Sequence, residues 1–119
     1  MNKEVTPALI ERVADRLKAL GDPWRIRILM RLREGPCNVS ALSDALGAAQ
    51  PSVSKHLALL KQVGLVASRR EGTQSIYSVR DASVFDLCEV VCAGVVRHLK
   101  EEHAALGLTP ANGKGDETR

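Results

Sequence analysis

The sequence contains very few aromatic residues. Trp24, Tyr77 and Phe85 are the only three among 119 residues, whereas leucine, valine and alanine are abundant. A chain of this composition builds its core from aliphatic side chains, which favour helices when alanine and leucine dominate. The length is sufficient for one domain with a modest core and too short for two ordinary domains. We therefore expect a single domain that is mainly α-helical.

Long apolar runs and export signals are also missing. No segment approaches the roughly 20 consecutive apolar residues of a membrane-spanning helix. The N-terminus lacks the basic and then apolar pattern of a secretory signal. We expect a cytoplasmic protein without a membrane partner. The domain is predicted to span residues 1–106, because residues 107–119 are polar, contain glycine and show no apolar periodicity, which is typical of a disordered tail.

The sequence also lacks the residue sets of an enzyme. Its three histidines, His56, His98 and His103, have no recognisable nucleophile or carboxylate partners, and no glycine loop of the phosphate-binding type is present. Cysteine is scarce as well. The chain has three cysteines, an odd number, and no export signal. This predicts free thiols and not a disulfide framework.

Positive charge is concentrated in the middle of the chain. Residues 24–80 contain nine Lys and Arg against three Asp and Glu, so this stretch has a charge of +6, whereas the whole chain has a charge of +3. The residues outside this stretch therefore have a combined charge of −3. A local basic surplus of this kind is typical of a nucleic-acid contact surface, and less typical of a charge that only serves solubility.

Capping residues divide the first half of the chain into four helices. Thr6-Pro7 begins a first helix that ends at Gly21, and Asp22-Pro23 begins a second that ends at Gly35-Pro36. Asn38 or Ser40 caps a short third helix over residues 41–46. After the link 47–49, a fourth helix has an apolar face at helical spacing, made of Val53, Leu57, Leu60 and Val63.

The short third helix, the tight turn and the longer fourth helix form a helix-turn-helix pattern. The outer face of the fourth helix is small, polar and basic, so it can approach the edges of the bases in a major groove. Two β-prone runs, residues 65–70 and 75–79, then flank a glycine-containing turn and predict a β-hairpin, the wing. The predicted fold is a mainly α winged helix-turn-helix with a small β-hairpin, in the order α-α-α-α-β-β-α.

The last predicted helix has an apolar arc that covers about half of its circumference. It includes Val84, Leu87, Val91, Val95 and Leu99. Such an arc needs more covering surface than one small core offers, so we expect a second subunit against it. Two-fold pairing would place two fourth helices on successive turns of a DNA duplex.

Four segments, LKALGDPWRIRIL, NVSALSDALG, QPSVSKHLALLKQVGLV and SRREGTQSIYSV, resemble the ArsR/SmtB family of bacterial winged-helix repressors over about residues 9–100. The resemblance implies a homodimer that forms through the first and last helices. It also implies binding to an imperfect inverted repeat in an operator and release by an inducer. The chain departs from the family at Ala49, where a serine commonly caps the fourth helix, and Gln50 or Ser52 is the candidate substitute for that cap.

The candidate DNA contacts lie on the fourth helix and on the wing. Ser52, Ser54 and Lys55 are expected to face the groove, and Gln50 lies at the helix N-terminus, near phosphates or base edges. On the wing, the expected contacts to the DNA backbone are Arg69, Arg70 and Gln74. His56 lies beside the apolar face and is predicted to be half-buried and hydrogen-bonded. The alternative is a winged-helix module with a solvated basic face that binds a protein and never contacts DNA.

Cys88 and Cys92 are four residues apart and therefore lie on one side of the last helix. Two thiolates in this arrangement form a bidentate site for a soft ligand, and Cys37 is the candidate third ligand. Three thiolates suit arsenite, antimonite or a soft divalent metal, which would act as the inducer; DNA binding itself is expected to need no cofactor. The alternative is that Cys88 and Cys92 are small apolar residues of a dimer interface.

Two alternatives to this thiol site are a zinc site on the last helix and a thiol redox switch. The family's usual cysteines of the third helix are missing, since Asn38 and Ser40 stand near those positions. A shifted version of the family's zinc site on the last helix would use Asp86, Cys88, His98 and Glu101. The other alternative is a thiol redox or persulfide switch. Family members of that type carry a cysteine in the second helix, where this chain has Met30.

Overall fold

The computed structural model of the protein describes residues 4–107. Its elements in chain order are α1 (Pro7–Leu20), α2 (Pro23–Leu32), β1 (Cys37–Asn38), α3 (Val39–Leu46), α4 (Gln50–Gln62), β2 (Val66–Glu71), β3 (Gln74–Val79) and α5 (Ser83–Ala105). The prediction of a mainly helical fold with a small β-hairpin is confirmed. The predicted tail lies outside the described residues, apart from its first residue.

Side-chain caps determine where three of the helices begin. Thr6, Asp22 and Asn38 each accept a hydrogen bond from the backbone N–H three residues further on, at 3.1, 3.1 and 2.7 Å. These bonds satisfy N–H groups that have no partner within the helix. Pro7 and Pro23 follow the first two caps, at a position where a missing N–H costs nothing.

α4 begins without a side-chain cap, because Ala49 occupies the N-cap position and no side chain bonds to the first turn. Neither Gln50 nor Ser52 replaces the missing cap. Two other features compensate. Pro51 removes one unpaired N–H from the first turn, and the Ser43 hydroxyl donates to the carbonyl of Ala48, which fixes the turn that leads into the helix.

The three strands form an antiparallel sheet in the order β1-β3-β2. β2 and β3 pair from Val66 with Val79 to Glu71 with Gln74, which leaves a two-residue turn. Gly72 in this turn has a φ of +64°, a left-handed conformation that glycine adopts without strain. β1 was not predicted from the sequence. It adds a two-residue strand to the edge of β3, with Cys37 opposite Tyr77.

The described residues form two compact units, one that extends to Ala82 and one that begins at Ser83. In the first unit, α4 packs against α2, α3 and β2. The side chains of this core are aliphatic, as the composition predicts, and its largest fully buried members are Ile28, Leu29, Leu42, Val53, Leu57, Leu60, Leu65 and Val66. The second unit contains α5, in which Val84 and Phe85 are buried.

Candidate nucleic-acid interface

α4 separates an apolar inner face from a polar outer face. Its inner residues Val53, Leu57 and Leu60 are at most 1% exposed, because they form part of the core of the first unit. Its outer face consists of exposed side chains, and all four predicted contacts on this helix belong to it: Gln50, Ser52, Ser54 and Lys55. The outer face is therefore open along the first two turns, where a helix can enter a major groove.

The wing carries two exposed arginines, and Arg69 is already paired. Its Nε and Nη2 donate to Oε2 of Glu71 at 3.0 and 2.8 Å, and both side chains are more than half exposed. Arg70 is exposed and points to the opposite face of β2, since side chains alternate along a strand. A phosphate that approaches Arg69 must therefore compete with the carboxylate of Glu71.

Gln74 is tied to the helix-turn-helix by Asn38. The Asn38 Nδ2 donates to Gln74 Oε1 at 2.9 Å, while its Oδ1 caps α3. One amide side chain thus connects the start of α3 to the first residue of β3. The amide NH₂ group of Gln74 is the part of its side chain that can donate to a phosphate. Asn38 was predicted from the sequence as a possible cap, but its bond to Gln74 was not predicted.

A second hydrogen bond, between α4 and the wing, was also not predicted from the sequence. The Lys61 Nζ donates to Ser68 Oγ at 2.8 Å and joins the last turn of α4 to β2. A helical wheel shows only that Lys61 is polar. Its partner becomes visible once β2 folds back along the helix. Lys61 therefore helps to hold the wing in a fixed position relative to α4.

His56 connects α4 to the loop between α1 and α2. Its Nδ1 lies 3.2 Å from Arg25 Nη1 and its Nε2 lies 3.9 Å from Asp22 Oδ2, with 21% of the side chain exposed. The prediction of a half-buried, hydrogen-bonded His56 is confirmed. The pKa of Asp22 lies below its usual value, mainly because the backbone N–H of Arg25 donates to its carboxylate. These contacts position α4. Lys55, the residue before His56, is exposed.

The three cysteines occupy different environments. Cys37 lies in β1 and is 6% exposed, whereas Cys88 is half-buried and Cys92 is exposed on α5. Cys37 belongs to the first compact unit and the other two belong to the second. Among residues 4–107, no three His, Cys, Asp or Glu side chains are arranged to hold a metal ion. Cys88 and Cys92, one helical turn apart, can supply two sulfur ligands from one protomer.

The shifted zinc set does not come together on one protomer. Asp86 and Glu101 are both in α5 and lie fifteen positions apart, which corresponds to about 22 Å of helix. His98 instead lies 3.8 Å from Glu102, which is four residues further along the helix. A metal site with all four residues of the set would therefore require a second chain.

The helices carry no membrane signature. Within residues 4–107, none is both long enough and apolar enough to cross a bilayer.

Residues 22–68, from the cap of α2 to the start of the wing, match the family described as bacterial regulatory protein, arsR family. The HTH-type transcriptional regulator NmtR of Mycobacterium tuberculosis is 39% identical over 98 residues, which cover 82% of this chain and 77% of that protein. The HTH-type transcriptional repressor SmtB of the same species is 40% identical over 73 residues, which cover 61% of this chain and 54% of that protein.

A solved structure with a similar fold is the homodimeric winged helix-turn-helix DNA-binding domain of Mb0332 from Mycobacterium bovis, described as a possible ArsR-family transcriptional regulator. It is 34% identical and superposes with a TM-score of 0.71, covering 86% of this chain and 94% of that chain. The winged helix-turn-helix prediction is thus confirmed.

Proposed function

The chain belongs to the arsR family of bacterial regulatory proteins, and from this premise we propose that it is a homodimeric repressor with a thiol-dependent release mechanism. It is a DNA-binding transcriptional regulator and not an enzyme, as predicted from the sequence. The proposal adds three features: an inverted-repeat operator, a dimer built from α1 and α5, and an inducer that binds to Cys88 and Cys92.

The DNA-binding part of the proposal rests on the exposure of the outer face of α4. Four polar or basic side chains at its N-terminal end are exposed, while the inner face of the same helix is fully buried. We propose that Ser52, Ser54 and Lys55 contact base edges or adjacent phosphates, and that Gln50 lies where the helix N-terminus approaches the backbone. Arg69, Arg70 and Gln74 then hold the flanking backbone from the wing.

Exposed apolar side chains on α1 and α5 support the dimer. On α1, Ile10, Val13 and Leu17 are about half exposed, at 54%, 49% and 52%. On α5 the exposed large apolar residues are Leu87, Val90, Val91, Val95, Val96 and Leu99. Two helices with such rows of valine and leucine are stabilised when a second copy covers them. A two-fold dimer also explains why the operator would be an inverted repeat.

The inducer part rests on the two thiols of α5. On the single protomer Cys92 is exposed and Cys88 is half-buried, so the core of the protomer does not enclose the two sulfur atoms. Arsenite, antimonite or a soft divalent ion binds thiolates in preference to oxygen ligands. If such a ligand binds the dimer state with wrongly spaced α4 helices more tightly, it shifts the equilibrium away from the DNA-bound state. Cys37 would complete a third ligand position only if it reaches this pair.

Replacing both thiols with serine is expected to abolish release by the inducer. We predict that arsenite dissociates the wild-type protein from its own promoter duplex, whereas the Cys88→Ser/Cys92→Ser double variant stays bound at the same arsenite concentration. The readout is fluorescence anisotropy of a labelled duplex. A separate variant, Cys37→Ala, shows whether the third thiol takes part. A double variant that is released like the wild type would contradict the proposed inducer site.

The exposure of Cys92 also favours a second candidate, in which an oxidant or a persulfide modifies the thiol. Mass spectrometry of the protein after polysulfide treatment separates the two candidates. Added sulfur or a crosslink, together with loss of DNA binding, supports modification. An unchanged mass together with release by arsenite supports ligand binding.

Neutralising Glu71 is expected to strengthen DNA binding. Glu71→Gln frees Arg69 from its ion pair and removes a negative charge from the wing, so we predict that duplex affinity rises about threefold, an effect of the size usual for an exposed pair. The measurement is a binding titration at fixed salt concentration, with Glu89→Gln on α5 as the control for net charge. Weaker binding of Glu71→Gln would mean that Glu71 positions Arg69 for its contact.

A further inference from the structure

One arginine on α1 contacts the ends of both predicted DNA-binding elements. The Arg16 guanidinium donates from Nε and Nη2 to the carbonyl oxygen of Val63, at 3.2 and 2.8 Å. Its Nη1 donates to Asp81 Oδ2 at 2.7 Å. Val63 is the C-cap of α4, and Asp81 follows the end of β3 by two residues. The guanidinium therefore joins α1 to α4, the proposed recognition helix, and to the base of the wing.

The chemistry of these contacts suits a guanidinium. The last carbonyls of a helix have no partner within the helix and carry a partial negative charge, which a cation stabilises. The planar group offers several donors in a fixed geometry, so it can bond to a carbonyl and a carboxylate together. The side chains of Arg16 and Asp81 are 42% and 33% exposed, so solvent screens their attraction. The contact therefore acts mainly through its geometry.

The backbone between α4 and β2 bends closely around this group. Gly64 has a φ of +81°, and a Cβ at this position would lie 3.0 Å from Arg16 Nη2. The next residue, Leu65, accepts a backbone hydrogen bond from Arg80 at 2.9 Å. The end of the recognition helix, the first residue before β2 and the segment after β3 thus meet within one small region that Arg16 spans.

We propose that Arg16 is a positioning residue that fixes the orientation of α4 and the wing relative to α1, and thereby determines the half-site spacing that the dimer accepts. This inference rests on the proposed function, because it takes α1 as part of the dimer interface. In a two-fold dimer, a small rotation of α4 relative to the interface changes the distance and the angle between the two recognition helices. Adjacent base pairs are rotated by about 34° around the duplex axis, so a spacing error of one base pair misplaces the second helix.

The test compares the half-site spacing that different variants select. The full-length wild type and the variants Arg16→Gln, Arg16→Lys and Asp81→Asn are each used to enrich duplexes from a random library, and the spacing between half-sites is read by sequencing. The affinities for the wild-type consensus, for duplexes one base pair longer or shorter, and for a single half-site are then measured. Arg12→Gln, one turn earlier on α1 and exposed, is the control.

We expect the variants to keep the half-site sequence and the affinity for a single half-site but to lose discrimination of spacing. For the wild type, one added or removed base pair should weaken binding about tenfold or more, and for Arg16→Gln this ratio should fall to about twofold. Arg16→Lys keeps the charge without the two-sided geometry, so it should resemble Arg16→Gln. An unchanged affinity for a single half-site separates a positioning role from a general loss of folding. A loss of folding would lower the affinity for a single half-site and the affinity for the full inverted repeat together.

Two outcomes would overturn the proposal in different ways. If the wild type enriches an inverted repeat and all three variants show the wild-type spacing ratio, the positioning role of Arg16 is wrong while the proposed function stands. If the wild type enriches no duplex, the proposed function fails, and this inference fails with it. Should Arg16→Gln not fold, Asp81→Asn, which removes one contact and leaves Arg16 on Val63, decides the question.

Discussion

Replacing Leu57 with alanine is expected to lower the free energy of unfolding by about 3 kcal/mol, within the range found for fully buried leucines. Leu57 is 0% exposed and lies in the middle of the inner face of α4, between Val53 and Leu60. Because α4 packs against α2, α3 and β2, the alanine leaves a cavity that no single neighbour can fill. The loss combines the removed apolar surface with that cavity.

Urea unfolding followed by circular dichroism measures this effect at a fixed protomer concentration, because dimer formation makes the apparent stability depend on concentration. Leu106→Ala is the matched control. Leu106 is 72% exposed, so the same substitution should change the free energy of unfolding by less than about 0.5 kcal/mol. Equal losses in the two variants would contradict the assignment of the inner face of α4 to the core.

Reversing the charge of Lys55 is expected to reduce operator affinity about a hundredfold without loss of stability. In a dimer, Lys55→Glu removes one contact from each of two recognition helices and places a carboxylate near phosphates. Each lost contact is worth about 1–3 kcal/mol, so two of them account for the effect. The side chain is exposed, which is why the fold should tolerate the substitution.

A binding titration with the promoter duplex measures the loss, and Lys100→Glu on α5 is the control because it changes the net charge by the same amount. We expect Lys100→Glu to bind within about threefold of the wild type, since a charge far from the duplex is screened by salt. If the two reversals weaken binding equally, the effect reports only the overall charge, and the outer face of α4 is not the DNA-reading surface.

Most helices could be predicted from the sequence because their ends are marked by local chemistry. Thr6, Asp22 and Asn38 cap helices through bonds to residues three positions away, and such short-range signals are readable in a sequence. The wing was predicted for the same reason, since Gly72 lies between two β-prone runs. The inner and outer faces of α4 followed from the 3.6-residue period.

The features that could not be predicted depend on contacts between distant segments. β1 has only two residues and becomes a strand because β3 lies beside it, so no periodicity marks it. Arg16 reaches Val63 and Asp81, which are 47 and 65 positions away in the sequence. The pairing of Asn38 with Gln74 likewise needs the folded wing. Long-range bonds of this kind are decided by tertiary packing and not by local propensity.

The candidate site also has features that could be predicted from the sequence and one that could not. The exposure of Gln50, Ser54 and Lys55 follows from helical spacing alone, and the structure agrees with it. The thiol pair on α5 also follows from spacing, because residues four apart lie one turn from each other. Whether Cys37 joins that pair depends on the arrangement of two compact units and two protomers, which no local pattern encodes. The three-thiol set therefore stays a prediction.

The central claim is that exposed cations on α4 and the wing bind the DNA backbone, and the salt dependence of duplex binding tests it most directly. Lys55, Arg69 and Arg70 from two protomers give six phosphate contacts, for which a plot of log Kobs against log salt concentration should have a slope of about −5. The triple substitution of these residues with glutamine should bring the slope close to zero. A wild-type slope near zero, or no duplex binding at low salt, would contradict the claim.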